Sequence, residues 1–470
     1  MAQPSGGELA ASGAGGAVEG GRITRAQWLV LTAAFLGWMF DGVEIGLFPL
    51  VARPALQELL GDLGDKAVGT WNGVIVACFL LGAAVGGLVF GWLGDRIGRV
   101  RAMVASILVY SLFTGAGAFA TQAWQLGVLR FIASLGMGGE WAVAVALVVE
   151  CWPEKHRPLL AGAIGAAANF GFLFIGIVAS IFPVMEGSWR WLMLVGAIPA
   201  VLAFFVSLVI PESERWKAAA KTARSQPIVE IFAPRLRKTT ILAIVFASIP
   251  LIGTWAAVSG WIPLWVEQMK QAELVQDQVA GVDLIGAERG ELKDKLQEAK
   301  GRLAEGKWAE IQVGAARSKA FVQVLLAIGA IIACFVAPVI GGIWGRRPVY
   351  FALCLVSLLS CAYLSRCLNP HQAWFWPMVW LVGGVTAAFY GWLPLYLPEL
   401  FPTRVRATGQ GLSFNFGRIL AAVGALYMGQ LVNFLGGDYG SAIANITLIY
   451  VLGLVLIWLA PETKGKPLPE

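Results

Sequence analysis

Apolar runs of about twenty residues recur along almost the whole chain, each long enough to cross a hydrocarbon layer of roughly 30 Å as a helix. Inside such a layer every backbone N–H and C=O must be paired within its own segment or around a closed barrel. The short alternating strands of a membrane β-barrel are absent, so the runs dictate helices. The 470 residues are 58% hydrophobic and only 14% charged. The fold class expected is an all-α polytopic membrane protein. Spans fall near 26–50, 70–91, 102–120, 124–150, 158–182 and 191–210, then near 240–266, 319–343, 349–366, 373–397, 407–433 and 441–460. That predicts twelve transmembrane helices.

The charges between the spans predict their orientation. Lys and Arg collect in alternate loops, so the net charge of +6 reports membrane topology rather than a nucleic-acid surface. Arg22 and Arg25 precede the first span. Arg215, Lys217, Lys221, Arg224, Arg235, Arg237 and Lys238 fill a linker at 211–239, and Lys464 and Lys466 mark the tail at 461–470. All three regions are expected in the cytoplasm, with the spans in the cytoplasmic (inner) membrane. The opposite loops carry few cations, mainly Arg53, Lys66, Arg190 and Arg366. Residues 1–21, rich in Gly, Ala and Ser, read as a disordered cytoplasmic tail without a cleaved signal peptide. Six cysteines without ligand spacing, and only His156 and His371, imply no metal site and no cofactor.

Two polar bends and several short motifs reveal a repeat. Gly91-Trp-Leu-Gly-Asp-Arg-Ile-Gly-Arg-Val-Arg101 links two apolar runs so tightly that the chain must re-enter the membrane at once. Glu150-x-x-Pro153-x-x-x-Arg157-x-x-x-x-Gly162 recurs as Glu399-x-x-Pro402-x-x-x-Arg406-x-x-x-x-Gly411. Pro211-Glu212-Ser213 recurs as Pro461-Glu462-Thr463, and Gly98-Arg99 as Gly345-Arg346. The offset of about 250 residues predicts two pseudo-symmetric six-helix bundles, at 22–210 and 240–460. The second carries an extracytoplasmic insertion at 267–318, where Leu292, Leu296, Ala299 and Leu303 share one helical stripe. A solvated protrusion, a docking surface and a lid all remain open for it.

With both halves placed, residues 22–467 outside the insertion resemble a major facilitator superfamily transporter. The bend pattern G-x-x-x-D-R-x-G-R carries most of the resemblance. The stretch from Arg130 through Gly136-Met-Gly-Gly-Glu140-Trp141 is similar to the metabolite:proton and sialate:proton symporter branches, as is the acidic Asp41-Gly-Val-Glu44. Pro211-Glu-Ser-Glu-Arg-Trp216 and Pro461-Glu-Thr-Lys-Gly465 resemble the sugar-porter clan. One departure stands out: the second bend, Pro338 to Arg347, has Gly342 where the first has Asp95. An asymmetric latch leaning on the first half is expected.

An ionised side chain at the bilayer centre costs about 2.5–3.5 kcal/mol on insertion scales, so those present mark function. Asp41 and Glu44 sit mid-span, three residues apart on one helical face. The resemblance implies that the first and fourth spans line the cavity, so Asp41 is expected to pair with Arg130 when deprotonated and release it when protonated. Glu140 is either a second proton site or a permanently protonated, hydrogen-bonded acid. The repeat aligns Arg418 with Asn169. A mid-membrane Arg418, one turn from Asn415, suits an anionic substrate. Trp255, Trp261, Tyr390 and Trp392 lie in spans that line the cavity in the resembled family, where they either stack on substrate or pack between helices. Gly91, Asp95, Arg96, Gly98 and Arg99, with Glu150, Arg157, Glu399 and Arg406, resemble the family's cytoplasmic gate.

The function expected is proton-coupled import of a small organic anion by alternating access, in a monomer whose partners are protons, a small-molecule substrate and the bilayer. A sugar or polyol facilitator or symporter is one alternative, and a non-transporting sensor on the same scaffold is another. An enzyme is excluded for want of a nucleotide loop, metal cluster or nucleophile–base pair.

Overall fold

A computed structural model of the chain describes residues 23–61, 64–181, 189–222, 226–279, 281–284, 292–304, 306–368, 372–434 and 439–470. The tail at 1–21 lies outside the described residues. The first half runs through α1 (Arg25–Leu60), α2 (Gly64–Ile97), α3 (Arg99–Ala116), α4 (Ala123–Cys151) and α5 (Arg157–Ile181). Its last span is divided between α6 (Trp189–Val195) and α7 (Pro199–Val209). Two short helices, α8 (Glu214–Thr222) and α9 (Pro227–Ile231), form the connection. The second half opens with α10 (Pro234–Pro250), a π-helical stretch at Leu251–Trp261, and α11 (Ile262–Gln276).

After α12 (Leu292–Lys300) come α13 (Lys307–Trp344), α14 (Arg346–Cys367), α15 (Phe375–Ala387) and α16 (Phe389–Tyr396). The chain closes with α17 (Arg406–Leu426), α18 (Met428–Phe434), α19 (Tyr439–Ile446) and α20 (Ile449–Leu456). Among the described residues eleven helices are long and apolar enough to cross a membrane. The span expected at 407–433 is present as α17, which packs against α2, α4 and α10. Its apolar character is diluted by the buried Thr408, Gln410, Ser413, Asn415 and Arg418.

Local chemistry places the helix ends. Thr24 and Gln27 form a reciprocal capping box that starts α1: Gln27 N–H donates to Thr24 Oγ1 (3.3 Å) and Thr24 N–H to Gln27 Oε1 (2.8 Å). The tight bends α2–α3 and α13–α14 turn on Gly98 (φ 112°) and Gly345 (φ 107°), a backbone region closed to most side chains. Between the halves, a methyl group on Gly411 of α17 would overlap the carbonyl of Gly87 on α2. Small residues permit this approach, which is how membrane helices gain van der Waals contact without a hydrophobic drive between them.

The apolar core is not evenly shared. At the end of the bundle that holds both bends, one continuous core includes Trp38, Met103 and Trp141 of the first half with Tyr350, Trp392 and Phe414 of the second. Toward the opposite end each half has its own core. Leu47, Phe48 and Trp189 belong to one, and Val258, Trp265 and Phe375 to the other. A fourth, smaller core packs Leu292, Leu296 and Ala299 of α12 against Ala272 and Val275 of α11 and Ile311 of α13, with Leu303 half-buried beside them.

Candidate functional site

Charges at the centre of the bundle lie on α1, α4 and α17. Asp41, Glu44, Arg130 and Glu140 are at most 2% exposed and Arg418 is 6% exposed. Arg130 Nη1 is ion-paired with Glu44 Oε1. The guanidinium carbon lies 4.7 Å from the ring centres of both Phe48 and Phe79, so the cation is also held between two aromatic rings. Asp41 is left facing Glu140, Glu44 and Arg418. Neither carboxylate oxygen of Asp41 or Glu140 has a hydrogen-bond partner among the described residues, and the same holds for Arg418 Nη1 and the Tyr390 hydroxyl. Arg418 in turn faces Tyr390 and Asp41, and the Tyr110 hydroxyl of α3 faces the three acids. Polar side chains this deeply buried are normally saturated with hydrogen bonds, so the cluster holds unspent binding capacity. Asn415 is committed in part: its Nδ2 donates to the carbonyls of Gly138 (2.7 Å) and Gly411 (2.9 Å), while Oδ1 stays unpartnered.

A second charged cluster lies at the end where the core is shared. Arg99 Nη1 donates to Asp95 Oδ1 (2.6 Å), and Arg99 Nη2 to Glu150 Oε1 (3.0 Å) and the Thr403 carbonyl (2.7 Å). Glu150 also accepts from Arg406 Nη1 (2.9 Å) of the other half and from Ser213 Oγ (2.6 Å). Asp95 reaches across as well, accepting from Ala407 N–H (3.1 Å), Thr408 N–H (2.8 Å) and Thr408 Oγ1 (2.6 Å) at the start of α17. The first helical N–H groups have no intrahelical partner, and the helix dipole favours an anion there. In the second half Arg346 Nη2 donates to Glu399 Oε1 (2.7 Å), Thr463 Oγ1 to Glu399 Oε2 (2.6 Å), and Arg157 Nη1 lies 3.9 Å from Glu399 Oε1. Arg406 Nη2 also donates to the Pro469 carbonyl (2.9 Å), with Leu468 buried beside it.

Each half closes its bend in the same way. Glu212 accepts from the N–H groups of Arg99 (3.0 Å) and Val100 (3.1 Å), and Glu462 from those of Arg346 (3.0 Å) and Arg347 (3.1 Å). Burial works against the Glu462 anion. Backbone donors at Arg346, Arg347, Lys464 and Thr463 outweigh it and hold the carboxyl below its usual range.

Comparison with known proteins identifies the scaffold. The profile of the Major Facilitator Superfamily matches residues 28–281, and that of the sugar (and other) transporters matches 310–470. The chain belongs to the major facilitator superfamily. It is an integral membrane transporter, not an enzyme. A putative metabolite transport protein of Haemophilus influenzae is 26% identical over 95% of this chain and 99% of its own length. The cis,cis-muconate transport protein of Acinetobacter baylyi is 27% identical over 95% and 97%. The fold is similar to that of the proton:xylose symporter XylE bound to 6-bromo-6-deoxy-D-glucose, with a TM-score of 0.66 and 17% identity over 94% of this chain and 98% of that one.

Within this superfamily scaffold several expected roles change. Arg130 pairs with Glu44 rather than Asp41, because Phe48, one turn further along α1, helps to seat the guanidinium at Glu44. Trp392 is not at the central charges: its Nε1 donates to the Arg346 carbonyl (3.2 Å), and its ring packs on Tyr350 and Tyr396 near the bend. Trp261 is buried in the second half's own core with Val258, Ile262 and Trp265. The Trp255 side chain lies outside the described residues. Arg96 is exposed, 5.1 Å over the Trp92 ring, and has no ion pair with the charged cluster among the described residues. Asn169 is half-buried on α5, next to Ala168, whose carbonyl abuts Gly42 of α1. Gly91 packs on the Ala407 carbonyl.

Sequence reasoning missed Tyr110, the two capping acids and Arg346 as a gate cation. Glu212, Glu462 and Arg346 stand inside the repeated Pro-Glu and Gly-Arg motifs, so the repeat itself was their signal. Nothing near Tyr110 in the sequence marks it.

Proposed function

We propose that the protein is a proton-coupled importer of a small organic anion, working by alternating access. The observation that carries this reading is Arg418, buried at mid-bundle with one nitrogen unpartnered and facing Asp41. Charge counting supports it. With Arg130 taken by Glu44, Arg418 is the cation that faces Asp41 among the described residues. An incoming carboxylate competes with Asp41 for the guanidinium, which binds carboxylates in a bidentate fork. A proton on Asp41 releases Arg418 to the substrate, so proton and anion bind together. The muconate carrier among the relatives supports an organic acid as cargo.

The uneven core supports a conformer closed at the latch and parted at the other end. On this reading the latch faces the cytoplasm with both termini, the bundles are 22–210 and 240–460, 211–239 is a cytoplasmic linker, and 267–318 lies outside. The test is proton entry into proteoliposomes holding a pH dye, with monocarboxylates, sialate, aromatic acids and neutral sugars added in turn and empty liposomes as control. Acidification triggered by an acid and abolished in Asp41→Asn is expected. Acidification by sugars alone would return Arg418 to a structural role.

A further inference from the structure

Between the central charges and the latch lies a layer that neither site uses. Trp141 of α4 and Phe414 of α17 stack face to face, ring centres 3.9 Å apart and planes 13° from parallel. Trp38 of α1 closes on both, 6.4 Å from Trp141 and 6.1 Å edge-on to Phe414. All three rings are at most 5% exposed. Helix rise sets their depth. Phe414 stands about 12 Å along α17 from Arg406, and Arg418 about 18 Å. Trp141 adjoins Glu140, and Trp38 is one turn toward the latch from Asp41. The rings therefore form a floor beneath the charged cluster.

The stack joins the two halves, because α4 and α17 belong to different bundles. We propose that Trp141, Phe414 and Trp38 form an inner gate, a plate that seals the substrate site toward the latch and must unstack before substrate can leave on that side. Rocking one bundle against the other pulls the two faces apart in the same motion that breaks Arg406–Glu150. The latch supplies charge and the plate excludes water. This gate rests on the alternating-access part of the proposed function and is independent of what the cargo is.

The experiment reads access, not transport. Gln410→Cys places a thiol one turn below Phe414, and an impermeant maleimide is applied from outside to full-length protein in sealed proteoliposomes oriented with the latch side outward. Peptide-resolved mass spectrometry separates this site from the native cysteines. Loss of an aromatic pair in Phe414→Ala should raise the labelling rate about twofold to tenfold by shifting the conformers toward the latch-open state. Phe414→Tyr should restore it. Phe389→Ala is the control, since Phe389 stacks on Tyr450 (5.8 Å, 10°) within one half and should leave labelling unchanged. An unchanged rate in Phe414→Ala, or an equal rise in Phe389→Ala, overturns the gate. Raised labelling in a protein that moves no organic anion would keep the gate and remove the cargo assignment.

Discussion

The two halves build their charged clusters from the same repeated residues, yet only the first carries an acid in its bend that caps a helix of the other half. In the first half Asp95 holds Arg99 and also caps the start of α17 through Ala407 and Thr408. In the second half Gly342 occupies the matching place and meets Pro158, whose ring carbon lies 3.0 Å from where a Cβ would stand. Pro158 corresponds to Ala407 in the repeat, and proline has no N–H to donate. The acid is therefore missing together with two of its three donors, since Leu159 stands where Thr408 supplies a hydroxyl and keeps only its N–H. The lesson is that the pseudo-symmetric pair is complementary in its loss. The second half keeps its internal pairing, Arg346 to Glu399, but contributes a steric contact where the first contributes a charge.

The largest effect on this contrast should come from Asp95→Asn. The change strips one acid from buried Arg99 and the anion from α17, and breaking a buried ion pair costs about 3–5 kcal/mol. A fall in Tm and faster maleimide entry from the latch side are expected; an unchanged protein would show the contrast to be decorative. Gly342→Asp should not strengthen the latch. It sets an acid against the Pro158 ring with one backbone N–H, that of Leu159, in place of three donors, and a cost of about 1–3 kcal/mol is expected in thermal melts. Adding Pro158→Ala should recover part of that loss, measured as a double-mutant coupling.

Smaller effects test the shared parts. Ser213→Ala and Thr463→Ala each remove one hydrogen bond to a buried glutamate, and each should cost about 1–3 kcal/mol, with Ser213→Ala the costlier because Ser213 Oγ also accepts from Trp216 N–H (3.1 Å). The Glu462 carboxyl is depressed in the folded protein, so its stabilisation is present above the unfolded value of about 4.3 and is lost as pH falls through the folded value. Acid melts below that range should therefore show Glu462→Gln converging on the unsubstituted protein, with a gap of about 0.3–1 kcal/mol at neutral pH.

How much of this was legible follows from what each feature depends on. The helices were readable because apolar runs and charged loops act locally. The charged cluster at the bends was readable because Glu150-Pro153-Arg157 is repeated as Glu399-Pro402-Arg406, spacing that chance does not supply. Arg130's choice between Asp41 and Glu44 was not readable. Both acids share one helical face, and the Phe48 and Phe79 rings that frame the guanidinium come from two different helices. Trp392 failed for a similar reason: its span was correctly placed, but the direction of its ring is set by Tyr350 and Tyr396. The Trp141–Phe414 stack joins residues 273 positions apart, and nothing in either stretch announces the other.

The acids that close the bends differ in where the chain supplies them. Glu212 and Ser213 follow directly behind the first bundle, so that half holds its own part of the Arg99 cluster, apart from the contributions of Thr403 and α17. Glu462, Thr463 and Pro469 follow the last span. Arg346, Glu399 and Arg406 take their remaining partners from this segment, beyond the last span. The first cluster is thus closed by a linker inside the chain and the second by a segment beyond the last span, so cutting the chain after that span would open the second cluster and leave Glu212 and Ser213 in place.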